Sequence, residues 1–159
     1  MADRPLLMAR STPKHLRIPA IGVRSELMSL GLLDDGTLEV PPGAFPAGWY
    51  TGAPTPGELG PAIIAGHVHW NEDPGVFKDL RDLTPGDKVV VSRGNGNTAV
   101  FRVSRVAVFG KATFPTDVVY GDIDHAGLRL ITCGGLDDRT HRYEDNVVVF
   151  AALVSAGRG

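Results

Sequence analysis

The chain has one cysteine in 159 residues, which excludes an internal disulfide and the stapled folds of small secreted proteins. It also lacks a strong charge of either sign. Sixteen Lys and Arg stand against 18 Asp and Glu, a formal net charge of −2, so a bulk electrostatic grip on nucleic acid or on an anionic membrane is not expected, although a local basic patch is compatible with it. No apolar run approaches the roughly 18 to 20 residues of a spanning helix, and Met1 to Arg10 holds two leucines but no apolar core of signal-peptide length. Turn formers, by contrast, are abundant. Twenty Gly and 12 Pro favour short elements joined by many turns, while a 43% hydrophobic share is enough for a packed core. The length is that of one domain.

The apolar segments are short and closely punctuated, the pattern of an all-β chain. Leu16 to Val23 reads as extended, with Pro19 forcing an edge or a bend. Ser25 to Leu33 reads as a strand, and Asp34-Asp35-Gly36-Thr37 as a tight turn into a short strand, Leu38 to Val40. The stretch from Pro41 to Pro61 is long for a loop, with Trp49 and Tyr50 expected to pin it to the core. Ala62 to His67 is a compact apolar strand with a His at its exit. Val76, Phe77, Leu80 and Leu83 share one face at helical spacing, which predicts a short helix over Pro74 to Leu83. Lys88 to Ser92 and Thr98 to Phe109 read as a hairpin through Arg93-Gly94-Asn95-Gly96-Asn97. Leu128 to Cys133 and Asn146 to Leu153 are the last strands. With no internal repeat and no linker, the expectation is one β-barrel of about eight strands.

Cys133 ends a strand and is followed by Gly134-Gly135. A lone Cys is commonly a small buried hydrophobe, but a strand end opening into two glycines suits a nucleophile, with backbone N–H groups free to approach a bound carbonyl. Because the thiolate is the reactive form, such a Cys needs a proton partner. Of five His, His67 stands out, since it too ends an apolar strand directly after a Gly; its plain alternative is an exposed strand-end His. Arg139 and Arg142 follow the Cys and are candidates to steady an oxyanion, although either reads equally as a solvated surface charge.

These residues resemble a known family. Ala65-Gly66-His67, then Leu130-Ile131-Thr132-Cys133, then an Arg shortly before the terminal strand Val147 to Ala151, look like a sortase. Thr-Cys-Gly-Gly followed by Tyr-x-x-Asn-Val-Val-Val (Tyr143 to Val149) is most similar to the class E and class F sortases of actinobacteria. The resemblance covers Leu16 to Leu153. It implies an all-β fold, a closed eight-stranded barrel with short helices in its connecting loops, over residues 14–155. Residues 1–13 are then expected as a flexible lead and 156–159 as a tail. It implies a cysteine transpeptidase that cuts a Leu-Pro-x-Thr-Gly-like sorting signal between Thr and Gly through a Cys thioester. The acyl group passes to an amine of a peptidoglycan precursor or a pilin. Carried over, Cys133 is the nucleophile and His67 the general acid, with Thr132 and Gly134 holding the oxyanion. Many sortases place the Arg where this chain has Asn146; Arg142 lies on the same alternating face if the last strand extends back, so it takes the role, with Arg139 in reserve. No cofactor, metal or nucleic acid is implied, and the expected state is a monomer. The expected location is the extracellular face of a Gram-positive cell membrane, reached through an apolar anchor of about 20 residues upstream of Arg10.

Two other readings compete. His67 and His69 at i and i+2, with Cys133 or His141, suit the metal site of a hydrolase. A non-catalytic β-barrel binding module would leave the Cys inert. Asp34-Asp35 and Asp137-Asp138 are read as turn residues and not as a calcium site.

Overall fold

A computed structural model describes residues 6–34, 36, 38–70, 72–110, 116–133, 136–137, 142–143 and 146–158, with backbone only at 116, 133, 136–137, 142–143 and 158. Among the described residues twelve strands follow in chain order: β1 (Pro13–Ile18), β2 (Val23–Leu30), β3 (Ala47–Tyr50), β4 (Gly60–His67), β5 (His69–Trp70), β6 (Asp73–Pro74), β7 (Lys88–Arg93), β8 (Asn97–Phe109), β9 (Ala126–Cys133), β10 (Leu136–Asp137), β11 (Arg142–Tyr143) and β12 (Asn146–Arg158). One short helix, α1 (Thr116–Tyr120), precedes β9. Eight strands close into a barrel in the order β1-β2-β3-β4-β9-β12-β8-β7, with β7 returning to β1. The expected eight-stranded all-β barrel is therefore the fold.

Two of the pairings are parallel, β2 with β3 and β4 with β9. Alternation sends Leu16, Ile64, Val89, Phe101, Leu130 and Val149 into the barrel, where all are fully buried. A second apolar layer covers the outside of β4, β9 and β12, built on Ile63, Val119, Ile131, Val148 and Phe150. These strands are thus buried on both faces, which explains why β4 is buried along its whole length and why its sequence shows no alternation.

Three segments differ from the sequence reading. Pro74 to Leu83 forms turns and a 3-10 turn at Leu80–Asp82 in place of a helix. Val76, Phe77, Leu80 and Leu83 are buried as expected, but the Val76 and Phe77 N–H groups donate to the carbonyls of Ala44 and His67, long-range partners that replace a helical ladder. The stretch from Pro41 to Pro61 contains β3, whose Trp49 is buried in the core. In place of the strand expected at Leu38 to Val40 there is an isolated bridge between Leu32 and Leu38.

The barrel also extends beyond both expected ends. β12 pairs with β8 out to Arg158 and Asn97. Residues 8–12 are fastened to the wall: Met8 N–H donates to the Gly57 carbonyl at 2.8 Å, Gly94 N–H to the Thr12 carbonyl at 2.7 Å, and the Arg93 guanidinium to the Ala9 carbonyl.

Candidate active site

The parallel pairing of β4 and β9 brings two strand exits to one end of the barrel. In its register Ala65 faces Ile131, Gly66 faces Thr132, and His67 faces Cys133. Antiparallel strands cannot do this, because their C-terminal ends lie at opposite ends of the sheet. On the other side of β9, Val148 pairs with Ile131.

Gly66 is required by close packing. A Cβ there would lie 2.6 Å from Val76 Cγ1 and 2.8 Å from Phe77 Cδ2. The segment after β4 therefore folds tightly against the strand exit, and Phe77 N–H donates to the His67 carbonyl at 3.0 Å.

The His67 ring is buried, and its Nε2 lies 2.7 Å from the Pro41 carbonyl oxygen. A carbonyl can only accept, so Nε2 carries the proton and Nδ1 is the acceptor of the neutral ring. Trp70, held in the β5–β6 hairpin, packs its ring on His67 with centroids 4.9 Å apart and planes tilted by 52°. Carbonyl and indole together fix the imidazole from two sides.

Thr132 is buried, and its hydroxyl oxygen accepts the Val147 N–H at 2.8 Å. That bond ties the end of β9 to the start of β12. Arg142 lies in β11, paired with Asp137 of β10. The β10–β11 pair forms a two-stranded sheet apart from the barrel order, and Glu144, through which the sequence reading runs the last strand back to Arg142, lies outside the described residues. Gly134, Arg139 and His141 lie outside the described residues.

His69 sits on β5 opposite Pro74, off the strand that carries His67. Among the described residues no group of three or more His, Cys, Asp or Glu is arranged to hold a metal ion.

Behind the His67–Cys133 end the outside of β4, β9 and β12 carries the buried apolar layer of Ile131, Val148 and Ile63. Beside it lies a hollow of about 430 Å³ lined by Tyr50, Ala53, Pro54, Leu59, Ile63 and Tyr120 among others. At roughly 3.3 Å per residue, Ile63 lies about 13 Å along the strand from His67, the span of four extended residues. The sequence reading did not find this hollow, since its lining comes from β3, β4, α1 and the segments beside them. Within the apolar layer, burial pushes the Arg129 pKa down, and its guanidinium stacks 4.8 Å from the Phe150 ring.

The sortase domain profile matches residues 16–154. Comparison with curated protein sequences returns no match. Among solved structures, the chain is similar to the SrtA sortase of Actinomyces oris, with 23% identity and a TM-score of 0.68 over 99% of this chain and 88% of that one. It is also similar to sortase A of Listeria monocytogenes, at 17% identity and a TM-score of 0.68 over 95% and 92%. Sortase E1 of Streptomyces coelicolor, solved with a tripeptide in its active site, gives 18% identity and a TM-score of 0.68 over 94% and 91%. At these identities the structural likeness establishes the fold, and the profile match covers most of the chain. The chain belongs to the sortase family.

Proposed function

We propose that this sortase is a cysteine transpeptidase in which Cys133 and His67 act on a Leu-Pro-x-Thr-Gly-like sorting signal. The observation that carries the proposal is the register partnership of His67 and Cys133 at the paired exits of β4 and β9. The Cys133 thiolate attacks the Thr carbonyl carbon, and the new C–S bond gives a tetrahedral oxyanion. Collapse breaks the Thr–Gly bond, and the leaving Gly amine takes its proton from the His67 imidazolium. A thioester remains. An incoming amine of a peptidoglycan precursor or a pilin attacks it and gives up a proton to His67. The amide forms and the thiolate leaves.

Each neighbouring residue has a role in this scheme. The hydrogen bond to Pro41 engages Nε2 of His67, so Nδ1 is the ring atom suited to moving the proton. Thr132, Gly134 and Arg142 supply donors to the oxyanion. The hollow beside β4, lined by Tyr50, Pro54, Leu59, Ile63 and Tyr120 among others, suits the Leu and Pro side chains of an extended peptide. The Thr-Cys-Gly-Gly and Tyr-x-x-Asn-Val-Val-Val segments support a class E or class F assignment. Work on sorting signals further implies the extracellular face of a Gram-positive cell membrane, with a monomer as the working unit.

A fluorogenic Leu-Pro-x-Thr-Gly peptide tests the proposal. Cleavage that stops on thiol alkylation and continues in chelator is the expected result. Cleavage that stops in chelator and survives alkylation would move the chemistry to a metal at His67 and His69.

A further inference from the structure

The charge of the barrel is segregated. β1, β2, β7 and β8 form one continuous half of the wall and carry seven of the 16 Lys and Arg but one of the 18 Asp and Glu, Glu26. On its outer surface like charges are set directly opposite one another. Arg17 of β1 is the register partner of Arg24 of β2, and Lys88 of β7 is the partner of Arg102 of β8. Arg17 also pairs in register with Val90, two residues from Lys88, so the two cationic pairs adjoin. Like charges directly opposed across a ladder destabilise a sheet. All four residues are exposed, and no ion pair among the described residues reaches Arg17 or Arg24, whereas Arg102 donates to the Gly86 carbonyl at 3.1 Å and Glu26, two residues along from Arg24, faces His15.

The Arg17–Arg24 pair stands between two depressions. One, of about 400 Å³, is lined by His15, Arg17, Arg24, Ser92 and Thr98 among others. The other, of about 340 Å³, is lined by Arg17, Pro19, Gly22, Val23 and Arg24. Two guanidiniums, an imidazole and two hydroxyls converging on a shallow, open hollow are the donor set of an oxyanion site. Arginine in particular matches the geometry of phosphate oxygens. The wall is remote from the catalytic end, since β1 lies opposite β9 in the closed barrel.

We propose that this wall is a binding site for phosphate-bearing anions, with Arg17 and Arg24 at its centre and Lys88 and Arg102 extending it. The ligand is a phosphodiester or phosphomonoester group, presented by an anionic lipid surface or by a soluble phosphate compound. Occupancy relieves the opposed charges, so binding and wall stability are coupled.

Sedimentation with vesicles of phosphatidylglycerol or of phosphatidylcholine, together with thermal shift in inorganic phosphate and in glycerol phosphate, tests the site and separates the two sources. The wild type is expected to sediment with phosphatidylglycerol vesicles and not with phosphatidylcholine, and to release as salt is raised. The double variant Arg17→Gln/Arg24→Gln should bind about 30-fold more weakly, from two basic residues at a charged surface, and should keep full peptide cleavage. A thermal shift in soluble phosphate that the double variant loses, without vesicle binding, would assign the site to a soluble phosphate compound. If the wild type responds to neither, or the double variant responds as the wild type does, the proposal is overturned. The Gln side chains remove an opposed charge pair, so misfolding is not expected; unchanged circular dichroism and cleavage by the double variant check it.

Discussion

His67 and Cys133 are register partners at the last rung of the parallel ladder between β4 and β9. Two residues 66 positions apart in the chain are thereby set one strand spacing apart, about 4.8 Å, by backbone pairing alone. The proposed active site is a property of the barrel's topology before any side chain is placed.

That arrangement makes the two neighbouring histidines unequal. His67→Ala should lower cleavage of a fluorogenic sorting peptide by about 100- to 10,000-fold, the range for loss of a positioned acid–base group, whereas His69→Ala on the β5–β6 hairpin should be mild. In alkaline buffer the 15N spectrum of the His67 ring should show the proton on Nε2, the nitrogen facing the Pro41 carbonyl. Equal activity losses at both positions would contradict the assignment.

Arg142→Ala should lower turnover by about 100- to 1000-fold with little change in KM, the signature of a donor that acts in the transition state. Arg142→Lys should recover little, since an ammonium lacks the guanidinium fork. Arg139→Ala should stay near wild type. A large turnover defect in Arg139→Ala alone would transfer the role to that residue.

Gly66→Ala tests the close approach behind the site. Its Cβ would press on Val76 and Phe77, an overpacking worth about 1–3 kcal/mol, which in a domain of this size lowers Tm by about 2–10 °C. An unchanged Tm in differential scanning calorimetry would mean that the 76–77 segment yields without cost.

Acid should loosen the fastening of residues 8–12. Burial raises the Glu58 pKa, but hydrogen bonds from the Thr55 N–H and hydroxyl and the charges of Arg10 and Arg93 outweigh it and leave the carboxyl below its usual value of 4.5. A depressed folded-state pKa means stability that is present above the unfolded pKa and is lost as pH falls through the folded one. Glu58→Gln should therefore flatten the decline of Tm below about pH 4.5. A decline as steep as in wild type would remove Glu58 from the acid response.

Much of this was legible in the chain because barrel strands are local patterns. The β7–β8 hairpin, β9 and the exits at His67 and Cys133 follow from turn chemistry and apolar runs. The failures are equally physical. Val76, Phe77, Leu80 and Leu83 have helical spacing, yet the long-range bonds to Ala44 and His67 decide their backbone. β3 hides among glycines and prolines because it is four residues long, Ala47 to Tyr50, too short to show a period of its own. The apolar run ends at Leu153, but β8 offers the residues after it a ladder out to Arg158. The Pro41 carbonyl on His67 carries no side-chain signal at all, and neither does the register that sets Arg17 against Arg24.

The central claim is that Cys133 forms a covalent acyl-enzyme with a sorting peptide, and intact-protein mass spectrometry tests it most directly. After incubation with a Leu-Pro-x-Thr-Gly peptide, the wild type should gain the mass of the fragment ending in Thr. Hydroxylamine or oligoglycine should remove that mass as the corresponding adduct, and Cys133→Ala, still folded, should gain nothing. An adduct that persists in Cys133→Ala, or turnover of the peptide by that variant, would contradict the account.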